Sequence, residues 1–549
     1  MKRNIERTFF ALLLLAYMAY AAVFIAKTIF WVDGVPYSAL FDDMMISMTY
    51  ARNLAQGYGL VWNAGGERVE GFSNPLWVAF MALIHLLPIA ENWTSLAVQI
   101  GGGAFFIASL LVLRRVAGQV SGGQARVVLL AVLLTAFYYP LSNWSLLGVE
   151  VSLLLLMVNL FMFLALRTLE NGRFSRGLYL LMGLATLVRV DAAVTYLTLW
   201  ALLVWFDRAN RRRHLIEGGV ILLLFLGGQT LARKLYYGEW VPNTYILKVE
   251  GLPLWARVRR GLQVTWNFVR GFYPPLMLLP FSLFLFRRDR QGLLLALVFL
   301  AQVAYSIYVG GDAWEHRGGA NRFVALGMPA LFTLFSLAVW EWYDRIRVWL
   351  QKNSHSAARW LVRLMPLGLA GFLALSMLLW NRMPGNYGVV SSLLNAGEGE
   401  LRFFFLLDRS IYVPGNERYT RDGLILREVT QPSARVAVVA AGNICYFSHR
   451  YCIDMLGKTD PVIARGGIQV PPDADWRELR PGHIKFNYQH SIATLKPDVV
   501  VEIRQSTGDI AERFLTEDYV SVKVNGHPMY FRKDSTRIDW VKLEYVRED

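Results

Sequence analysis

The chain has 549 residues, of which 55% are hydrophobic and 14% aromatic, and its 56 Lys and Arg against 41 Asp and Glu give a formal net charge of +15. Repeated long, uncharged apolar stretches exclude a soluble multidomain protein. The basic residues gather between those stretches instead of interleaving with aromatics on one face, so the charge reads as membrane topology and excludes nucleic acid as a partner.

The first apolar stretch lacks a small-residue cleavage site and reads as a retained helix. A transmembrane helix needs about 20 mostly apolar residues. By that standard the candidates are Thr8–Ala26, Leu96–Leu113, Val127–Leu141, Val151–Leu166, Gly177–Val190, Ala192–Phe206, Leu215–Leu231, Phe272–Phe286, Leu293–Val309, Phe323–Val339 and Leu364–Leu379. The positive-inside rule puts Lys2, Arg3 and Arg7 in the cytoplasm, with further cytoplasmic loops at Arg114–Arg126, Arg167–Arg176, Arg208–Arg213, Arg287–Arg290 and Arg345–Arg363. Eleven helices then alternate, and the chain faces outward from about Asn381. The stretch Pro75–Ile89 breaks this alternation, since as a span it would carry Arg114–Arg126 outside. It reads as a helix lying along or re-entering the outer surface, with a true span as the alternative.

The predicted fold class is therefore a polytopic α-helical membrane protein of about eleven transmembrane helices, residues 1–380, followed by an outward-facing α/β domain, residues 381–549. Outer loops at 31–95, 233–270 and 310–322 have room for chemistry. In the tail, Arg435–Ala440, Pro497–Ile503 and Tyr519–Val524 read as strands between Gly and Pro punctuation.

Asp42 and Asp43 follow the first span directly. Adjacent carboxylates there suit a helix N-terminus, where each favours the dipole by roughly 0.3–1 kcal/mol. They equally suit a general base with a neighbour that holds its geometry or a cation. The second outer loop carries Arg233, Lys234, Lys248, Arg257, Arg259, Arg260 and Arg270 against Glu239 and Glu250, a basic excess where the topology rule expects little. It reads either as contact with anionic head groups or as a phosphate cradle. Glu150, Arg189 and Asp191 sit at outer helix ends, where charge is costly and either pairs locally or serves a site. Asp312, Glu315, His316, Arg317 and Arg322 share a glycine-bearing loop without the spacing of a zinc site. Cys445 and Cys452 flank a turn, and a disulfide between facing strand ends is one of two open readings.

Several segments together resemble the arabinofuranosyltransferase branch of the C-type (GT-C) glycosyltransferases, which includes mycobacterial terminal arabinofuranosyltransferases and a pseudomonad enzyme acting on type IV pilins. They are Phe41-Asp42-Asp43-Met44-Met45-Ile46 and Gly59–Trp77 in the first loop, Trp144–Glu150, Tyr236–Glu239 with Val241-Pro242-Asn243-Thr244-Tyr245 and Lys248, Gly310-Gly311-Asp312 with Arg322, and Ile453-Asp454 through Gly457 and Asp460. Gly482-His483-Ile484-Lys485 is similar to a further tail element, although His483 and Lys485 read as structural. Where the family commonly has Arg-Pro-Asp, this chain has Arg189-Val190-Asp191.

The resemblance implies an inverting transfer of a sugar, D-arabinofuranose, from a polyprenyl-phosphate donor to a periplasmic glycan or pilin hydroxyl. Asp42 is the implied base and Asp43 its reserve. Lys248, Asn243, Tyr245, Arg189, Asp191, Glu150, Asp312 and Arg322 are implied to bind donor phosphate or sugar. It also implies a bacterial inner-membrane location with the site and tail in the periplasm, and membrane lipids as partners. No cofactor is required on this reading; a divalent cation is possible but not indicated. The alternatives are a transferase of another sugar, such as mannose or aminoarabinose, or a lipid-linked sugar flippase. Against the flippase, no paired halves are visible and the charges gather at the outer face.

Overall fold

A computed structural model describes residues 2–271, 277–287, 289–315, 321–353, 364, 368, 406–504 and 507–548. Among these, six helices are long and apolar enough to cross a membrane: Glu6–Ala26, Glu91–Val120, Val151–Asn171, Arg211–Tyr237, Arg290–Val309 and Arg322–Lys352. A seventh span is counted if Ala125–Ala136 and Tyr139–Leu146, bent by 54°, are taken together. Pro140 lies in the first turn of the second piece and has no N–H to continue the first helix's ladder. The chain is thus a polytopic membrane protein.

The expected eleven spans become six or seven, for physical reasons. The helices Arg176–Val188 and Ala192–Phe206 have 13 and 15 residues. They rise only about 20 Å against a hydrocarbon core of about 30 Å, because Arg189-Val190-Asp191 interrupts what reads as nearly continuous apolar sequence. The expected span Phe272–Phe286 is irregular where described, a 3₁₀ helix at Leu279–Leu285. Leu364–Leu379 and the 380/381 boundary lie outside the described residues. The helix Pro75–His85 has 11 residues, too few to span, and its buried Trp77 donates from Nε1 to the Gly148 carbonyl at 3.1 Å.

Four elements position the site. Helix α1 (Lys2–Ala26) ends in a small hairpin, Phe30–Val32 against Val35–Tyr37, that leads into α2 (Asp42–Ala55). Helix α3 (Asn243–Val249) lies in the second loop. The tail is an α/β domain with a five-stranded mixed sheet: β1 (Arg435–Val438) lies parallel to β2 (Tyr451–Asp454) and to β3 (Val499–Val500), and the antiparallel pair β4 (Tyr519–Val524) and β5 (His527–Arg532) extends the β3 edge. Val436, Ala437, Val438, Val499 and Val500 are fully buried, as a central parallel strand pair requires. Cys445 and Cys452 are disulfide-bonded across 6.0 Å between Cα atoms. Cys445 lies in the short helix α4 (Asn443–Ser448), so the bridge ties a helix to a strand and not two strand ends.

The tail is fastened to the first outer loop. Asn63 exchanges two 2.9 Å hydrogen bonds with the backbone of Cys452. Arg52 donates to the Tyr446 carbonyl at 2.5 Å. His85 Nε2 meets the Tyr446 hydroxyl at 3.1 Å.

Candidate active site

Asp42 and Asp43 occupy the first turn of α2, with Phe41 as a cap that makes no side-chain hydrogen bond. The helix-dipole reading and the site reading are therefore compatible: the dipole favours both charges, and both carboxylates point at the tail. Asp42 Oδ1 accepts from the Asn443 backbone N–H at 2.8 Å and from its side-chain amide at 3.0 Å. The chains approach so closely that a Cβ at Gly442 would fall 1.9 Å from the Asp42 carbonyl oxygen. Burial pushes the Asp42 carboxyl above the ordinary carboxylate range, and the charge of Asp43 adds to the shift, against the stabilising bonds from Asn443.

Asp43 behaves in the opposite way. Burial opposes its charge, but the Lys458 ammonium pairs with it directly and, with Arg322, holds it below the usual range. Two neighbouring carboxylates thus have pKa values driven apart, the pattern that separates a proton acceptor from a fixed charge.

Lys458 sits in a turn held on two sides. Asp454 accepts from the N–H groups of Leu456, Gly457 and Thr459 at 2.9, 3.2 and 2.9 Å. From the other side, the Asn243 amide donates to the carbonyls of Gly457 and Lys458, each at 2.9 Å. Asn243, expected to meet the donor, is thus engaged with the tail.

Lys248, one helical turn on from Asn243, makes no hydrogen bond or ion pair among the described residues. It keeps accessible surface, yet surrounding protein lowers its pKa to about 8, first by desolvation and then through Arg322, Arg189 and Lys458, with Asp43 in opposition. Gly482, at φ +89°, lies against the lysine stem: a Cβ there would approach Lys248 Cε to 3.3 Å. His483 beside it is kept neutral, its pKa pushed down to about 3 by burial and by Lys458, and its Nδ1 has no hydrogen-bond partner among the described residues. Tyr245 is half exposed.

The other expected residues are paired. Arg189 donates to Glu150 at 2.9 Å and to Asp191 at 2.7 and 3.0 Å, while Asn74 donates to the second Glu150 oxygen at 3.0 Å. Arg322 forms a two-pronged pair with Asp312, at 2.6 and 2.8 Å, and lies over the Trp144 ring. The second loop's basic excess is largely spent on structure. Arg233 lies inside the span Arg211–Tyr237 and pairs with Glu70. Arg259 bonds the carbonyls of Pro472 and Ala474, Arg260 bonds Gly310, Asp312 and Glu315, and Arg257 lies over Tyr308. Lys485 is buried on the carbonyls of Ala464 and Ile246. His316 and Arg317 lie outside the described residues. Among the described residues no three His, Cys, Asp or Glu gather as metal ligands.

Three contributors escaped sequence reasoning. Asn443 and Lys458 carry no local signal beyond a lysine after the glycine of the Asp454–Asp460 element, and His483 reads as a turn residue until folding sets it beside Asp43.

The fold is shared with membrane proteins of known structure. ArnT from Cupriavidus metallidurans, solved bound to undecaprenyl phosphate, matches with a TM-score of 0.55 at 13% identity, over 95% of this chain and 98% of that one. The archaeal oligosaccharyltransferase AglB from Archaeoglobus fulgidus, in complex with an inhibitory peptide and a dolichol-phosphate, matches with a TM-score of 0.50 at 10% identity, over 95% and 74%. In sequence, the terminal beta-(1->2)-arabinofuranosyltransferase of Corynebacterium glutamicum is 23% identical over 350 residues, 56% of this chain and 49% of the relative. The chain therefore matches about half the length of that curated relative. A domain family of unknown function, DUF8728, matches residues 410–542, most of the tail.

Proposed function

We propose that this chain is an inverting glycosyltransferase that moves D-arabinofuranose from a polyprenyl-phosphate donor to a hydroxyl acceptor on the periplasmic face of a bacterial inner membrane. The observation that carries the reading is Lys248, an exposed ammonium with no partner among the described residues, near Arg322, Arg189 and Lys458, whose own charges are met by Asp312, by Glu150 and Asp191, and by Asp43, and next to two aspartates of opposite pKa shift. A phosphate leaving group needs cations more than an acid, and a weak hydroxyl nucleophile needs a base.

In this mechanism the acceptor oxygen attacks the anomeric carbon from the face opposite the phosphate. The carbon–oxygen bond to phosphate breaks, its electron pair leaves with the polyprenyl phosphate, and Asp42 takes the hydroxyl proton. Asp43 stays ionised and holds Lys458 at the donor side. The choice of arabinose rests on the first-loop resemblance and on the corynebacterial relative. The acceptor, a glycan or a pilin, is open to the same assay.

The test is transfer of label from radiolabelled decaprenyl-phosphoryl-arabinofuranose in membranes holding the wild type, Asp42→Asn or Asp43→Asn at equal protein levels. Loss of the base is expected to cost about 10²–10⁴-fold. An active Asp42→Asn beside an inactive Asp43→Asn would move the base to Asp43. Full activity in both would remove the catalytic assignment. Transfer of mannose or aminoarabinose but not arabinose would correct the sugar.

A further inference from the structure

A second charged cavity lies about one bilayer away from the aspartates. Helix α1 runs from Arg7 toward the hairpin before Asp42, and the span Glu91–Val120 runs from Glu91, which meets the tail's His449 and Arg427, to Arg114 and Arg115 at its far end. Between those far ends and the helix that begins at Ala125 is a cavity of about 540 Å³, lined by Arg7, Arg114, Arg115, Leu111 and Val128. Three guanidiniums face one carboxylate there. Glu6 neutralises Arg114 at 3.0 Å, and Arg114 also lies 4.4 Å over the Phe10 ring. Arg7 and Arg115 are exposed and have no carboxylate partner among the described residues; Arg115 rests near the Phe163 ring at 5.9 Å.

The depth is that of a head group. These arginines sit where the apolar runs end; the lining includes Leu111 and Val128, and exposed Leu12, Leu15 and Leu133 lie further along the helices that frame it. The volume falls in the roughly 300–1,000 Å³ range of small-ligand sites. Basic pockets between transmembrane helices on the positive side suit anionic head groups. Two guanidiniums without counter-charge beside an apolar wall fit a phosphodiester on acyl chains better than a free ion, which would leave that wall in water.

We infer that this cavity binds the phosphodiester head group of an anionic glycerolipid in the leaflet opposite the aspartates. The test is native mass spectrometry of the detergent-solubilised full chain titrated with phosphatidylglycerol or phosphatidylethanolamine. Phosphatidylglycerol adducts should dominate and fall about tenfold in Arg7→Gln/Arg115→Gln. Arg7→Lys/Arg115→Lys should keep at least half of them, which separates lost charge from lost folding. Lys2, Arg3, Arg114 and Arg126 remain to hold topology. Equal retention of both lipids, or unchanged adducts in the glutamine variant, overturns the inference. So does displacement of the lipid by excess inorganic phosphate, which would mark a free-anion site.

Discussion

Two clusters of the same residue types lie within electrostatic reach of each other and are built on opposite principles. In the cluster of Glu150, Arg189 and Asp191, every charge has a partner: Arg189 is gripped by two carboxylates and Asn74 takes the remaining Glu150 oxygen. At Lys248 the ammonium has no partner among the described residues, and two arginines and Lys458 press on it. Buried charges are tolerated when paired and hydrogen-bonded. The first cluster obeys that rule and serves to fix the interrupted helix end at Val188–Ala192. The second lies outside that rule: Lys248 keeps accessible surface, so its charge needs no protein partner and stays open to a ligand of opposite charge.

The largest expected effect breaks the paired cluster. Glu150→Ala leaves Arg189 with one counter-charge and Asn74 without its acceptor, at a cost of about 3–5 kcal/mol. Thermal unfolding of the purified protein in detergent checks it. A Tm within error of wild type would show that the network adds nothing to stability and that the two clusters do not differ in kind.

A smaller effect of opposite sign sharpens the comparison. Lys248→Met removes an unpaired cation while keeping the stem. It should weaken donor affinity about tenfold and raise the Tm by roughly 1–2 °C, because the surface that Lys248 keeps screens most of its repulsion. Donor KM and Tm from one preparation decide it. A lower Tm would mean that Lys248 has an undescribed partner and belongs with the paired class.

The contrast also explains what the sequence made legible. Apolar length identified the membrane class and six spans, and alternation in Arg435–Ala440 and Tyr519–Val524 identified tail strands at their present positions. The same measure overcounted spans, since hydropathy weighs residues and not the geometry of a break such as Arg189-Val190-Asp191 or the bend before Pro140. Asp42 and Asp43 stood out because acidic residues next to an apolar run are conspicuous. Their partners did not: Asn443 and Lys458 lie 401 and 415 positions away. A single sequence shows which residues are charged, but pairing depends on contacts across the whole chain. Arg233, Arg260 and Lys248 look alike in the second loop, and only folding makes two of them structural and leaves one unpaired.

The subtlest expected effect is a pH dependence that differs between the two carriers of charge. Lys248, with its pKa lowered to about 8, is cationic below that value and neutral above it. In the free protein, donor affinity should therefore be full at low pH and decline as pH rises through about 8. Bound phosphate would itself draw the proton back and move the limb upward. In the proposed mechanism Asp42 sets the other limb. Its pKa is raised, so the basic form is lost already above the ordinary carboxylate value as pH falls, and the chemical step fails on that side. The limbs separate by parameter: donor KM should rise on the alkaline side and kcat should drop on the acid side. In Lys248→Met the alkaline rise in KM should vanish while the acid limb stays. If the alkaline limb persists in that variant, another group governs donor binding, and Lys248 is not what sets this cluster apart from the closed network beside it.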